Sequence, residues 1–381
     1  MQCRLGKVPP DNVDEDHLTR ASGVGWPVPT KNRPPQGAEE RRARLLPHLK
    51  VWGIRRAKHS MIPPVLLNDW HPVALADSLA EGQITGVRLL DEQVVLWRTS
   101  QGVVAWEDLC PHRGTPLSMG RVEGETLICG YHGWAYNHEG QCVRFPAHPK
   151  QTPPAHARVH NVYKATERYG LIWVCLGAPE QDITTFPEWD DASYRKVLCG
   201  PYPANASATR FVENFLDVAH FPYVHEGILG DPNHAEIEKY EISVGPEGIT
   251  AKDIRFWQPN PDGLGIPAIV SYTYSVFRPF TAYLRKTTGP SFVIYFALTP
   301  VTEISCIGWM WLAMNYGHDT PAEDIRAFQD GIVAQDLPIV AAQKPERLPL
   351  DLQAELHHRS DAMAIAYRKQ LKEWGVTFGT A

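Results

Sequence analysis

CPHRGTPL at 110–117 and CGYHGWAYN at 129–137 decide how this chain is read. Each loop carries one cysteine and one histidine, Cys110 with His112 and Cys129 with His132, and sixteen residues separate His112 from Cys129. Two thiolates and two neutral imidazoles suit a two-iron, two-sulfur cluster in which sulfur holds one iron and nitrogen the other, and nitrogen ligation raises the reduction potential. Zinc also takes two cysteines and two histidines, but its usual spacing pairs Cys with Cys and His with His. Gly114, Pro116, Gly130 and Gly133 stand where backbone must turn tightly around a cluster. The loops predict an electron relay, and a relay needs a recipient elsewhere in the system.

The chain has 381 residues, enough for about two domains that each bury a core. Hydrophobic content of 43% and charged content of 21% are those of a globular protein, and no apolar run reaches membrane-spanning length. A net charge of -6 gives no reason to expect nucleic acid as a partner. The seven cysteines, at 3, 110, 129, 142, 175, 199 and 306, are odd in number and scattered. That pattern argues against a disulfide framework and for a reducing, cytoplasmic compartment, with Cys142, Cys175 and Cys306 as buried thiols.

Residues 1–60 differ from the rest of the chain: twelve Lys or Arg stand against six Asp or Glu, with Pro pairs at 9–10 and 34–35 and no sustained periodicity. Such a segment buries too little apolar surface to offset its ordering entropy, so a disordered N-terminal extension is expected, and Met61 is an alternative start. From 66 to 177 short β-rich runs predominate, among them EQVVLWR, GVVAWEDL and YGLIWVCLG, punctuated by turn residues. They predict a small antiparallel β-domain with the two loops at its tip. A mixed domain is expected over 178–381. It has a helical segment at 208–225, strands over roughly 240–315, and helices in AEDIRAFQDGIVAQDLPIVAAQ (322–343) and LQAELHHRSDAMAIAYRKQLKEW (352–374).

In ATRFVENFLDVAHFPYVH, Asn214, Asp217 and His220 recur every three residues, which places them within a stripe on one helix face. His225 follows five residues after His220, about 140° away on an uninterrupted helix and too divergent to share a metal. Pro222 between them can break the helix and let His225 turn back. Two histidines and one carboxylate on one face of iron leave positions open for dioxygen. His138, His148, His234, His357 and His358 have no second ligand at useful spacing and read as surface or packing residues.

The ligand loops resemble those of the Rieske family. Joined to D-x-x-H-x-x-x-x-H at 217–225, they make the chain similar to the catalytic subunit of Rieske non-heme iron oxygenases over roughly 66–375. The layout and the segment HEGILGDPNHAE (225–236) look most like the branch containing the vanillate and dicamba O-demethylases and the methylxanthine N-demethylases. The resemblance implies an α+β chain, an all-β Rieske [2Fe-2S] domain followed by a helix-grip, START-like catalytic domain with a central antiparallel sheet and flanking helices. It implies that Cys110 and Cys129 hold the inner iron of the cluster and His112 and His132 the outer. It also implies that His220, His225 and Asp336 hold a mononuclear Fe(II), with Asp330 and Asp324 as other acidic residues on the same stretch. Gln335 departs from the pattern, since many relatives have an acid there. The resemblance makes Asp217 a catalytic bridge to His132 of a neighbouring subunit in a homotrimer, whose ring needs a heterologous interface.

No G-x-G-x-x-G fingerprint is present, so electrons from NAD(P)H are expected through a separate ferredoxin or flavin reductase. The aromatic stretches 270–284, 292–298 and 307–317 alternate as a sheet with one face on a pocket, which suits a flat aromatic or heterocyclic substrate. Monooxygenation, by hydroxylation or oxidative demethylation, is the favoured expectation. Ring cis-dihydroxylation is the alternative, and a Rieske electron carrier without oxygenase activity is the reading from another class.

Overall fold

The computed structural model describes residues 62–261 and 265–381. The expected N-terminal extension and the alternative start at Met61 lie outside the described residues.

Short strands build the first half. β1 (His71–Leu75), β2 (Ile84–Leu89), β3 (Glu92–Thr99) and β4 (Gly102–Glu107) come first; β5 (Arg121–Glu123), β6 (Thr126–Ile128), β7 (Ala135–Tyr136) and β8 (Cys142–Arg144) come next; β9 (Val162–Arg168) and β10 (Leu171–Cys175) close the half. A six-stranded antiparallel sheet has the order β1-β10-β9-β4-β3-β2, and a four-stranded sheet has the order β5-β6-β7-β8. The period-2 alternation of β3 and β4 assigns their side chains to two cores. Val95, Trp97, Val104 and Trp106 pack with Leu117, Leu127, Tyr136, Cys110 and Cys129, at the base of the 110–117 and 129–137 loops. Val94, Leu96 and Ala105 face the opposite core, which is shared with the second half. Burial on both faces is why these strands read as continuous apolar runs.

The second half opens with β11 (Arg195–Ala204), then α1 (Ala208–Leu216) and the one-turn α2 (Phe221–Val224). β12 (Glu241–Gly245), β13 (Gly248–Gln258), β14 (Ala268–Arg278), β15 (Thr281–Lys286), β16 (Phe292–Thr302) and β17 (Ser305–Met314) come after them, and α3 (Ala322–Ala342) and α4 (Ala362–Glu373) end the chain. All seven strands form one antiparallel sheet, ordered β11-β17-β16-β15-β14-β13-β12. α1 starts at Ser207, whose hydroxyl accepts from Arg210 N–H, and lays Phe211 and Phe215 against Phe296 and Tyr274 of the sheet. The chain is thus α+β, a β-domain followed by an antiparallel sheet held by helices. Among the described residues no helix is long and apolar enough to cross a membrane.

Two elements differ from the sequence reading. β11 precedes α1 instead of lying with the strands at 240–315. Pro201 and Pro203 hide it, and a strand containing proline is tolerated here because β11 is an edge. The second C-terminal helix covers 362–373 and not 352–374. His358 N–H donates to the Asp361 carboxylate, which starts helical structure there, and Glu355 is drawn instead toward Arg210 and Arg368.

That ion cluster ties α1 to α4. Arg368 grips Glu213 with two hydrogen bonds of 2.6 and 2.9 Å, and Arg210 donates to Glu355 at 2.7 Å, with both arginine side chains 3% exposed. Removing one carboxylate leaves buried guanidinium charge uncompensated, which typically costs about 3–5 kcal/mol. Glu213→Ala is therefore expected to lower the urea midpoint of the catalytic half by a loss of that order. A midpoint unchanged by tryptophan fluorescence would mean the cluster is solvated.

Candidate metal centres and active site

The first ligand loop leaves β4 at Glu107 and the second lies between β6 and β7, so both spring from the same two-sheet frame. Cys110 N–H donates to Thr115 at 2.8 Å and Gly114 N–H returns to Cys110 at 2.9 Å. The second loop repeats the device: Cys129 N–H donates to Trp134 and Gly133 N–H to Cys129. Each closure needs left-handed backbone, which Gly114 (φ 73°) and Gly133 (φ 68°) supply. The Asp108 carboxylate accepts from the N–H and hydroxyl of Ser118 and pins the first loop from behind.

These loops bring all four sequence-predicted residues together. Cys110 and Cys129 are buried at 3% and 2% exposure, and the His112 and His132 rings are 4.5 Å apart. Burial pushes the Cys110 thiol up to about 11, and the Tyr136 hydroxyl lies 3.2 Å from its sulfur. Hydrogen bonds to cluster sulfurs raise reduction potential, so Tyr136 belongs to the site although no ligand spacing marks it. Trp134 stacks on His112 at 4.2 Å and 7° and fixes the ring. Nδ1 of His112 is buried and has no hydrogen-bond partner. A buried nitrogen left without a partner calls for a ligand, and with two thiols beside it the donor set fits a [2Fe-2S] cluster. His132 is exposed and packs on Tyr131.

The second constellation assembles differently from the sequence reading. α1 ends at Leu216, and Asp217 to His220 form a non-helical link, so the stripe of Asn214, Asp217 and His220 on one helix does not exist. The break lies one turn before Pro222 because proline conflicts with the carbonyl four residues earlier, here that of Val218. Pro222 itself sits in the first turn of α2, where its missing N–H costs nothing. The Asp217 carboxylate accepts from Ala219 N–H at 2.7 Å and holds the link.

That link aims His220 and His225 at one point. Their Nε2 atoms are 3.2 Å apart, and Asp336 Oδ1 lies 3.3 Å from the first and 3.2 Å from the second. Ligands about 2.1 Å from a metal stand roughly 3.0 Å apart at a right angle and about 3.4 Å apart at a tetrahedral one. The triangle therefore suits a metal bound on one face, and its donors suit non-heme iron. Asp330 is engaged elsewhere, by the Tyr202 hydroxyl at 2.6 Å.

Surrounding groups set each ligand's state. Nδ1 of His220 faces Asp217 at 3.2 Å and Nδ1 of His225 faces the Gln335 Oε1 at 2.8 Å; each acceptor favours a proton on Nδ1 and so leaves Nε2 as the atom that could bind a metal. Burial alone would raise the Asp336 carboxyl, but hydrogen bonds with His220 and His225 outweigh it and hold the group at about 2. The same opposition acts on His220: burial disfavours its charged form, and Asp217 and Asp336 push it up to about 9. Asn214 donates to Asp336 at 3.4 Å. Gln335 is legible in the sequence only as a departure from a pattern; its pairing with a histidine 110 residues away carries no local signal.

The triad closes a cavity walled by Phe215, Phe221, Tyr274, Leu284, Ile294 and Val333, between the sheet and the helices. On its other side, Asp217 and His220 border a groove with Leu356 and His357. His138 packs on Trp97 and His234 stacks on Trp257.

Two family models match the chain: the Rieske [2Fe-2S] domain over 69–164 and the vanillate O-demethylase oxygenase C-terminal domain over 204–377. Methylxanthine N1-demethylase NdmA of Pseudomonas putida is 33% identical over 321 residues, covering 81% of this chain and 89% of the relative. Its solved structure with caffeine superposes with a TM-score of 0.70 over 81% of this chain and 91% of that one. A vanillate O-demethylase oxygenase subunit from a Pseudomonas species is 33% identical, over 79% of this chain and 92% of its own length. Oxidoreductase NdmD of P. putida is 41% identical over 115 residues, 30% of this chain and 19% of that protein.

Gln335→Leu is expected to free the His225 ring and weaken metal binding by about 10–100-fold, the usual effect of losing a hydrogen-bond partner of a metal ligand. Equilibrium titration of metal-stripped protein with Fe(II) measures it. Unchanged affinity would show that Gln335 does not orient His225.

Proposed function

The chain belongs to the Rieske non-heme iron oxygenases, and we propose that it uses dioxygen to hydroxylate or oxidatively demethylate a small aromatic or heterocyclic substrate. One observation carries this reading: the face formed by His220, His225 and Asp336 opens onto a cavity lined mainly by aromatic and aliphatic side chains. We assign Cys110 and Cys129 to the inner iron of the cluster, His112 and His132 to the outer, and the triad to a mononuclear Fe(II). When bound, the cluster supplies electrons one at a time and the Fe(II) activates dioxygen.

The chain's own groups do the rest. Gln335 and Asp217 hold the imidazoles in the ligating tautomer, and Asp336 remains a carboxylate throughout the physiological range. The walls keep water from the reacting centre and favour a flat ring. Asp217 is the bridge to His132 of a neighbouring subunit in a homotrimer. Two features support this: His132 is exposed, and Asp217 borders an open groove. A hydrogen bond to a charged carboxylate couples two centres strongly.

A separate electron donor, a ferredoxin or flavin reductase drawing on NAD(P)H, completes the system, in keeping with the likeness to an oxidoreductase. The six described cysteines are free, as a reducing cytoplasm favours. Ring cis-dihydroxylation would use the same three ligands; the relatives that are demethylases favour monooxygenation.

The test supplies methoxylated and N-methylated aromatics, a surrogate reductase and isotopically labelled dioxygen. Formaldehyde and a demethylated product are expected, and two labelled oxygens on the ring would contradict the reading. In the same assay Asp217→Asn is expected to keep its iron and lose turnover, and normal turnover would remove the bridge.

A further inference from the structure

Among the described residues lining the catalytic cavity, Tyr274 is the one with a buried polar side-chain atom that has no hydrogen-bond partner. The residue is fully buried in the middle of β14. It pairs with Leu284 of β15, and both side chains line the cavity. Phe215 of α1 meets the Tyr274 ring edge-on, with 5.6 Å between centroids, and holds it from the helix side. Amides of the same wall are already engaged: Asn214 donates to Asp336, Gln258 to the Tyr272 hydroxyl and Gln329 to Met310 Sδ.

A buried hydroxyl without a partner costs free energy, since it has given up water and gained nothing in return. Phenylalanine would fill the same space and make the same contact with Phe215 without that cost. Core packing therefore accounts for the ring of Tyr274 and leaves its hydroxyl unexplained. Burial, and then Tyr272 and the carboxylates of Asp217 and Asp336, push the phenol well above its usual value. It carries its proton throughout the physiological range, and it lies close enough to the triad to feel both carboxylates. Because packing fixes the ring, the donor is oriented before anything binds, and little entropy is lost when it is used.

We propose that Tyr274 is a substrate-positioning residue, its hydroxyl donating to a neutral acceptor oxygen on the substrate ring, a carbonyl or an ether, and setting the angle of the ring to the triad. The proposal rests on the oxygenase reading and adds to it the functional group by which the substrate is held.

The test compares wild-type holoenzyme with Tyr274→Phe, which removes one oxygen and keeps the ring. Anaerobic calorimetric titration with acetophenone and α-methylstyrene, and with anisole and ethylbenzene, sets an oxygen acceptor against a hydrocarbon of nearly the same shape. In at least one pair, the affinity of the oxygen compound relative to its hydrocarbon is expected to fall by about fivefold in Tyr274→Phe, the worth of one neutral hydrogen bond. The substrate-free variant is expected to unfold at a higher urea concentration than wild type, because it no longer buries an unsatisfied hydroxyl. Affinity ratios that Tyr274→Phe leaves unchanged overturn the proposal, as does wild-type protein that binds none of the four probes. A lower or unchanged urea midpoint also overturns it, since the hydroxyl would then be satisfied in the resting fold, by an ordered water or by the protein. Both readouts precede turnover. Their success without formaldehyde from anisole would count against the oxygenase reading alone, and their failure with formaldehyde formed would count against Tyr274 alone.

Discussion

Pro222 has no N–H to offer Val218, and its ring would strike that carbonyl if the helix ran on. The mononuclear site depends on this constraint. α1 stops at Leu216, the Asp217 carboxylate catches Ala219 N–H, and a new turn begins at Phe221. Within that turn Val224 and His225 N–H groups donate back to His220 and Phe221. Two imidazoles that would diverge on a straight helix are thereby brought to 3.2 Å. The third donor comes from α3, whose Asp336 and Gln335 serve the site in different ways. Asp336 meets both Nε2 atoms, and Gln335 takes the far side of the His225 ring. Neighbouring residues on a helix point about 100° apart, which lets one helix reach two sides of the same imidazole.

The first half solves a different problem, that of holding four candidate ligands rigidly on loops. Its answer is a frame with strands buried on both faces. β3 and β4 send Trp97 and Trp106 under the ligand loops and Val94, Leu96 and Ala105 toward the second half. Backbone hydrogen bonds then close each loop on its own cysteine. Rigidity of this kind suits electron transfer, because a fixed ligand shell needs little rearrangement when the charge on the metal changes.

How much of this can be read in the sequence depends on how local each constraint is. The four residues proposed to hold the cluster lie within two short loops, so residue type and spacing are enough to propose them. His220 and His225 are also close in sequence, and the need for a break between them is visible, but its position is not: a proline acts on the turn before it. Asp336 is more than a hundred residues from His220, and resemblance alone points to it. Tyr136 carries no pattern and Gln335 shows only as a departure from one, since each matters through a partner supplied by another element. β11 is hidden by its prolines, and 352–361 looks helical because nothing local shows Glu355 turning to two buried arginines.

The central claim is that one chain carries both a cluster and a separate mononuclear iron. Iron analysis of purified wild-type protein and of His225→Ala, paired with electron paramagnetic resonance of the reduced cluster, tests it most directly. The account predicts about three irons per chain in the wild type and about two in the variant, with the cluster signal intact in both. About two irons in the wild type, unchanged in His225→Ala, would contradict it.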